Sequence, residues 1–329
     1  FNNREISYIQ QHTFPELKRL FLQPYLEKFT DEYQPFGVGF DHMDTTPVAE
    51  LYKTEGASSA ALRFLGGSQT SALYALWKSA ILNLRGVAEY PVDVYRLKGG
   101  NQSLPNAFAK VLGERVKLNC PITGIEHGDS GVTVTYRQFG EIKKESADFL
   151  ANCIPPPAFR KIPLNPPLTA EKQNAIDNVR YDSYCRLVFQ ASSAFWKEDG
   201  LSINMQLGHP QIGSVWQVAD EIDTHRVVLM GTAPAGGNPL RALEAFKEMY
   251  PGKTVPVEQA LIKDWSKDLH APTCERLDFP LNTLNQFWPH VMTPFKRIHF
   301  AGASCDNLNW GMEAATRSAN RVAEEIDQA

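Results

Sequence analysis

The sequence predicts an α/β (α+β) protein in which a helical part and a mixed-sheet part are threaded by the same chain. Three observations predict it. Residues 1–90 place apolar side chains at three- and four-residue spacing. From Val92 onward the period shortens and strand-like runs alternate with helical ones. The stretch 297–326 reads as a short buried strand, a turn of small residues, a loop and a long helix.

The elements follow in order. Ile6, Ile9, Phe14, Leu17, Leu20 and Leu26 lie on helical faces, and 58–65 and 71–84 repeat the pattern, with Gly and Pro between them. Gly99-Gly100-Asn101 and Leu104-Pro105 open a helix that ends at Leu112. Val116-Lys117-Leu118 is expected to be a short strand. Residues 121–125 begin a hairpin with Gly128-Asp129-Ser130-Gly131 as its turn and the alternating run 132–136 as its return strand. Residues 148–154 form a buried strand that stops at Pro155-Pro156-Pro157, because proline has no N–H for a ladder. Strands are expected at 184–190, within 215–230 and at 261–265, and a helix at 239–250. Ile298, Phe300 and Ala301 form the last strand. Gly302, Ala303 and Ser304 leave the next turn bare of large side chains. The final helix starts near Gly311, with Met312, Ala315, Ala319 and Val322 expected on one face. A helix start offers free N–H groups and the positive end of a dipole, so an electron-rich group can sit there.

Composition narrows the function. A chain of 329 residues can bury one large core or two modest ones, and 43% hydrophobic with 21% charged residues is ordinary for a globular protein. The net charge of −4, with no run of five like charges, argues against nucleic acid and anionic membrane surfaces as partners. No stretch of 18 apolar residues occurs, so no membrane span is expected, and no signal-peptide pattern opens the chain. Cys120, Cys153, Cys185, Cys274 and Cys305 are scattered, without Cys-x-x-Cys, and no His cluster has zinc spacing. That predicts no metal site and a reducing, cytoplasmic location. The first residue is Phe1 rather than Met, which fits a processed or truncated chain.

Taken in sequence, these pieces resemble the flavin-containing amine oxidase family, in its monoamine oxidase branch. The pieces are Gly99-Gly100 with Leu104-Pro105, the run from Gly113 to Ile122, and the strand ending at Pro155-Pro156. Leu164-Asn165-Pro166-Pro167-Leu168, the strand from Arg186 to Phe195-Trp196, Trp265, and Phe300-Ala301-Gly302 with Met312-Glu313 complete the series. The resemblance runs from Gly99 to Ile326, and the helical part before it fits by type and position. It implies an FAD-dependent oxidoreductase that oxidises an amine or amino acid by hydride transfer to the flavin, with O₂ as acceptor. It implies that 91–160 and 291–329 are parts of an FAD-binding domain. Residues 1–90 and 161–290 would then be the helical and mixed-sheet parts of a substrate domain. Ile122 would hold the adenine edge through its backbone. Gly302, Ala303 and Ser304 would lie by the ribityl-phosphate part of FAD, and the N–H groups at Gly311 and Met312 would point at the pyrimidine end of the flavin.

The chain also departs from that pattern. No Gly-x-Gly-x-x-Gly occurs; the nearest run is Phe36-Gly37-Val38-Gly39-Phe40. That unit normally puts the FAD pyrophosphate on a helix start. Three alternatives stay open: a separate chain or segment supplies it, processing or truncation has removed it, or FAD has been lost. Arg186 stands where the family has a lysine beside the flavin, and arginine keeps the charge but cannot accept a proton. Glu275 and Gly311 align with the family's two aromatic walls, leaving Trp310 as a substitute. Cys274 falls nine residues after Trp265, where monoamine oxidases carry the cysteine joined to the flavin. The expected catalytic residues are thus Arg186, Trp310 and Glu275. Two alternatives stay open: a flavoprotein desaturase or dehydrogenase acting on an apolar substrate, and a non-enzymatic remnant without FAD.

Overall fold

Helix starts are written plainly into the first ninety residues. In the computed structural model, which describes residues 1–89, 95–219, 222, 224–273, 278–308 and 311–329, five helices occupy this part: α1 (Asn3–Gln11), α2 (Leu17–Leu26), α3 (Val48–Thr54), α4 (Ser59–Leu65) and α5 (Ala72–Leu84). Asn2 and Glu5 cap α1 reciprocally: the Asn2 side chain accepts from the Glu5 N–H at 3.0 Å and the Asn2 N–H donates to Glu5 at 2.8 Å. The Glu5 carboxylate is fully buried and also accepts from the Ser58 N–H and hydroxyl at 2.7 and 2.6 Å. These hydrogen bonds hold its pKa below the ordinary carboxylate value against the burial that raises it. Since Ser58 caps α4, one carboxylate ties two helix starts together. Ser71 caps α5, whose Leu73, Tyr74, Trp77 and Ile81 are buried with Leu17, Phe21, Leu22 and Leu26 of α2. The helical expectation for this part holds.

The chain continues through α6 (Ser103–Leu112), the hairpin β1 (Ile122–His127) and β2 (Val132–Gln138), β3 (Glu141–Ala147) and β4 (Leu150–Asn152). Then come α7 (Pro156–Phe159), β5 (Leu164–Asn165), α8 (Ala170–Asn178), β6 (Tyr184–Ala191), β7 (Met205–His209), β8 (Ile212–Val218) and β9 (Val227–Pro234). The last elements are α9 (Pro239–Met249), β10 (Val257–Asp264), α10 (Leu284–Phe287), β11 (Ile298–Phe300) and α11 (Gly311–Asp327). By packing, the chain divides into two units: Phe1–Tyr95, Leu118–Arg180 and Arg276–Ala329 in the first, Arg96–Lys117 and Tyr181–Glu275 in the second. This division cuts the expected 91–160 segment after Tyr95 and again after Lys117.

In the first unit, β1, β2, β3 and β5 form a sheet in the order β3-β2-β1-β5, and β4 and β11 form a parallel pair. Ile125, Val132, Phe159, Leu168, Ile176, Ile298, Phe300 and Cys305 make one buried cluster between them. In the second unit, β6 to β10 form an antiparallel sheet in the order β10-β6-β9-β8-β7. Along β6 burial alternates strictly: Cys185, Leu187, Phe189 and Ala191 point inward and join Ala242, Ala245 and Phe246 of α9 in the core. Asn238 caps α9 by accepting from the Leu240 and Arg241 N–H groups at 2.9 and 3.3 Å.

Some elements differ from the sequence reading. Val116–Leu118 is not a strand. It follows a 3₁₀ turn at Gly113–Arg115, is not a member of the sheets among the described residues, and leaves Leu118 72% exposed. β3 and β7 were not anticipated, because Glu141–Ala147 is mostly charged and exposed and so lacks an apolar alternation. The buried stripe of α11 is Ala314, Ser318 and Val322, whereas Met312 is half exposed. Positions four apart stay on one helix face, and the small Ala314 and Ser318 admit close packing.

Gly231 on β9 has no room for a side chain. A Cβ there would lie 2.5 Å from the Ser214 carbonyl oxygen and 3.6 Å from Leu187. Gly231→Ala is expected to destabilise the protein by about 1–3 kcal/mol, since the obstacle is backbone. Chemical denaturation showing no change in midpoint would contradict this close approach of β8 and β9. No helix of the described residues is long and apolar enough to cross a membrane.

Candidate functional site

β11 fixes the C-terminal turn. Its three residues are fully buried and pair in parallel with β4: Ile298 with Leu150, His299 with Ala151, Phe300 with Asn152. The pairing continues as the Ala301 N–H donates to the Asn152 carbonyl at 3.0 Å. The chain then turns at Gly302, where φ is +110°, a region that glycine enters without the steric cost of a Cβ. The Gly302 N–H donates to the Ser318 hydroxyl at 2.8 Å, and that hydroxyl donates to the Ala315 carbonyl at 2.7 Å. Arg321 donates to the carbonyls of Phe300 and Cys305 at 2.7 and 3.2 Å. Thus α11 grips the turn from one side through Ser318 and Arg321. Ala303 and Ser304 lie in the short 3₁₀ turn that ends at Cys305.

A buried polar brace holds the loop beyond the turn. Asp306 is fully buried, accepts from the Leu308 N–H at 2.9 Å, and lies 3.5 Å from Arg317 Nε. Arg317 also donates to Asn307 at 2.8 Å and to Glu32 at 3.3 Å. Glu32 receives a bidentate pair from Arg85, both bonds at 2.8 Å. The Glu32 backbone carbonyl accepts from Asn307 and from the Trp77 indole at 2.7 and 2.8 Å. Arg85 and Arg317 hold the Glu32 carboxyl below its ordinary range, while burial pushes Asp306 up against the pull of Arg317 and Arg321. At the helix start, Gly311 has φ +77°, and beyond its chain neighbours no atom of the described residues lies within 4 Å of where a Cβ would sit. Gly311 stands at the positive end of a 17-residue helix.

Behind β11, Lys172 of α8 is 3% exposed. Its ammonium donates to the carbonyls of His290 and Thr293 at 2.7 and 2.6 Å and sits 3.7 Å above the Phe300 ring centroid. Burial pushes its pKa down to about 8. Neither this brace nor the Glu32–Arg85–Arg317–Asp306 network was foreseen. The one legible signal is the four-residue spacing of Arg317, Arg321 and Glu325 on α11.

Ile122 opens β1, pairs with Tyr136 of β2, and packs against the same cluster as β11 and Cys305. β5 runs beside Ile125 and Glu126, leaving the other edge of the Ile122 backbone outside the described ladders. The first unit thus holds Ile122, Gly302, Ala303, Ser304, Gly311 and Met312. Arg186 belongs to the second unit. It lies on the face of β6 turned away from α9, with its guanidinium 5.5 Å from the Trp216 ring centroid. Cys274, Glu275 and Trp310 lie outside the described residues. No group of three or more His, Cys, Asp or Glu among the described residues could hold a metal ion.

Structures of similar fold include the cyclohexylamine oxidase of Brevibacterium oxydans IH-35A, with a TM-score of 0.75 over 99% of this chain and 76% of that one at 18% identity. A putrescine oxidase bound to putrescine gives a TM-score of 0.79 over 100% and 77%, also at 18% identity. Among curated proteins, the L-amino-acid oxidase of Vipera ammodytes ammodytes is 34% identical over 247 residues, which cover 70% of this chain and 51% of that protein. The L-amino-acid oxidase of Siganus canaliculatus is 25% identical over 341 residues, covering 93% and 62%. The chain thus spans about half to three fifths of the length of the curated relatives it matches. The model of the family described as flavin containing amine oxidoreductase matches residues 47–327 and so takes in β11, the Gly302 turn and nearly all of α11. With the strand, bare turn and helix start standing where the resemblance put them, the chain belongs to the flavin-containing amine oxidoreductase family.

Proposed function

We propose that this chain belongs to an FAD-dependent oxidoreductase that oxidises an amine or amino acid with O₂ as electron acceptor. The observation that carries the reading is the Gly302 turn between β11 and α11, inside the family match. Its fit to a flavin can be judged from the residues present. The turn is bare, its own polar groups are tied back by Ser318 and Arg321, and a Cβ at Gly311 would meet no described atom beyond its chain neighbours. These features suit the ring and ribityl end of the cofactor. Donors for a pyrophosphate are not supplied by a Gly-x-Gly-x-x-Gly turn anywhere in the 329 residues.

In this reading the turn 302–304 and the N–H groups of Gly311 and Met312 hold the flavin end of FAD, and the free backbone edge at Ile122 holds the adenine. The bound flavin would supply the redox chemistry, taking two electrons from the substrate C–N unit and passing them to O₂. The chain itself orients and excludes water. Lys172 and the Asp306 network keep β11 and the 306–308 loop in place. Arg186 supplies a permanent positive charge on its sheet. Glu275 and Trp310 are proposed to flank the substrate amine, and Cys274 to neighbour the flavin.

Protein carrying bound flavin should lose its oxidised-flavin absorbance when mixed without air with amino acids or amines. It should then release hydrogen peroxide when air is admitted. A spectrum that no amine or amino acid changes would sink the reading.

A further inference from the structure

We propose that Arg186, Thr232 and Ser214 form a carboxylate-binding row on the β6–β9–β8 sheet, and that the substrate is therefore an α-amino acid rather than a simple amine. The inference rests on the oxidase reading and names its substrate class. The register makes the row. Arg186 lies directly across from Thr232, and Thr232 directly across from Ser214, so the three side chains stand on one face of three adjacent strands. That face is turned away from α9, and all three residues are partly exposed.

Arg186 forms no hydrogen bond or ion pair with the described residues. Its contact is the indole of Trp216, 5.5 Å from the guanidinium carbon to the ring centroid. Stacking on an aromatic face holds the planar guanidinium while leaving its N–H edge free for a planar, two-oxygen acceptor. An arginine in the fold's own service usually meets a carboxylate, as Arg85 and Arg226 do here with Glu32 and Glu258. The hydroxyls of Ser214 and Thr232 lie 2.9 Å apart and share one hydrogen bond. One hydroxyl hydrogen is committed between them, which leaves the other to donate outward. On the opposite side of Arg186, Lys263 of β10 stands in register and adds positive charge, although its ammonium is shared with Asp268 at 3.3 Å. Arginine fork, spare O–H donor and neighbouring ammonium are all donors, which suits a carboxylate and disfavours an ammonium group.

The test uses the flavin-loaded protein and three probes: benzoate, benzylamine and phenylalanine. Benzoate should bind in calorimetry, and Arg186→Met should weaken that binding roughly tenfold or more, with Arg186→Lys in between. Thr232→Val should weaken it by roughly severalfold. In steady-state assays, Arg186→Met should raise the KM for phenylalanine relative to that for benzylamine by roughly tenfold or more. Equal changes for both substrates, or benzoate binding indifferent to Arg186→Met, would overturn the carboxylate row. Inorganic phosphate displacing benzoate at equal concentration would also overturn it, reassigning the row to phosphate. If no probe reduced the flavin yet benzoate binding still depended on Arg186, the oxidase reading would fail and the anion site would stand.

Discussion

Arg317→Met is expected to lower stability by about 3–5 kcal/mol, the cost of removing one partner from a buried ion pair. The Arg317 side chain is 8% exposed and Asp306 is fully buried. Methionine would fill much of the volume but leave the Asp306 carboxylate without its nearest cation. Asn307 and Glu32 would each lose a donor as well. Glu32 keeps its bidentate pair with Arg85, so the cost falls mainly on Asp306. Burial already pushes the Asp306 carboxyl up, so a neutral substitute there should be milder. Asp306→Asn retains the oxygen that accepts from Leu308 and removes the buried charge. Urea denaturation of the two variants should show Arg317→Met clearly the worse. A loss below about 1 kcal/mol for Arg317→Met, typical of exposed pairs, would mean that the network does not brace the loop before α11.

The contrast between what the sequence showed and what it hid has a physical basis. The helices of the first ninety residues were legible because three- and four-residue apolar spacing is a local signal. β11, the Gly302 turn and α11 were legible because apolar run, glycine and amphipathic helix are local signals. β6 was legible from its alternation. β3 was not, because an exposed edge strand needs no apolar face. In the Glu32–Arg85–Arg317–Asp306 network Glu32 meets Arg85 across 53 positions and Arg317 across 285, and nothing in the order of residues pairs them. Lys172 read as an ordinary helix lysine, and only the packing of α8 beneath Phe300 buries it. Arg186 was found through its place before Phe195-Trp196. Its stacking on Trp216 and the cross-strand hydroxyls at Thr232 and Ser214 appeared only when the sheet order placed β9 between β6 and β8.

The central claim is that this chain holds the flavin end of FAD and lacks the phosphate end. Two charge-assisted hydrogen bonds to phosphate contribute about 1.5–3 kcal/mol each, so their absence should weaken FAD by about a hundredfold to ten-thousandfold. The most direct measurement is a fluorescence titration of FAD with the 329-residue chain, repeated with a separate segment carrying a strand, Gly-x-Gly-x-x-Gly and helix. The account predicts weak binding by the chain alone and tight, one-to-one binding with flavin quenching once the segment is added. Gly302→Val should abolish the tight complex, because a β-branched side chain at φ +110° strains the turn. Tight stoichiometric FAD on the chain alone would contradict the account, as would a Gly302→Val variant that binds FAD as wild type does.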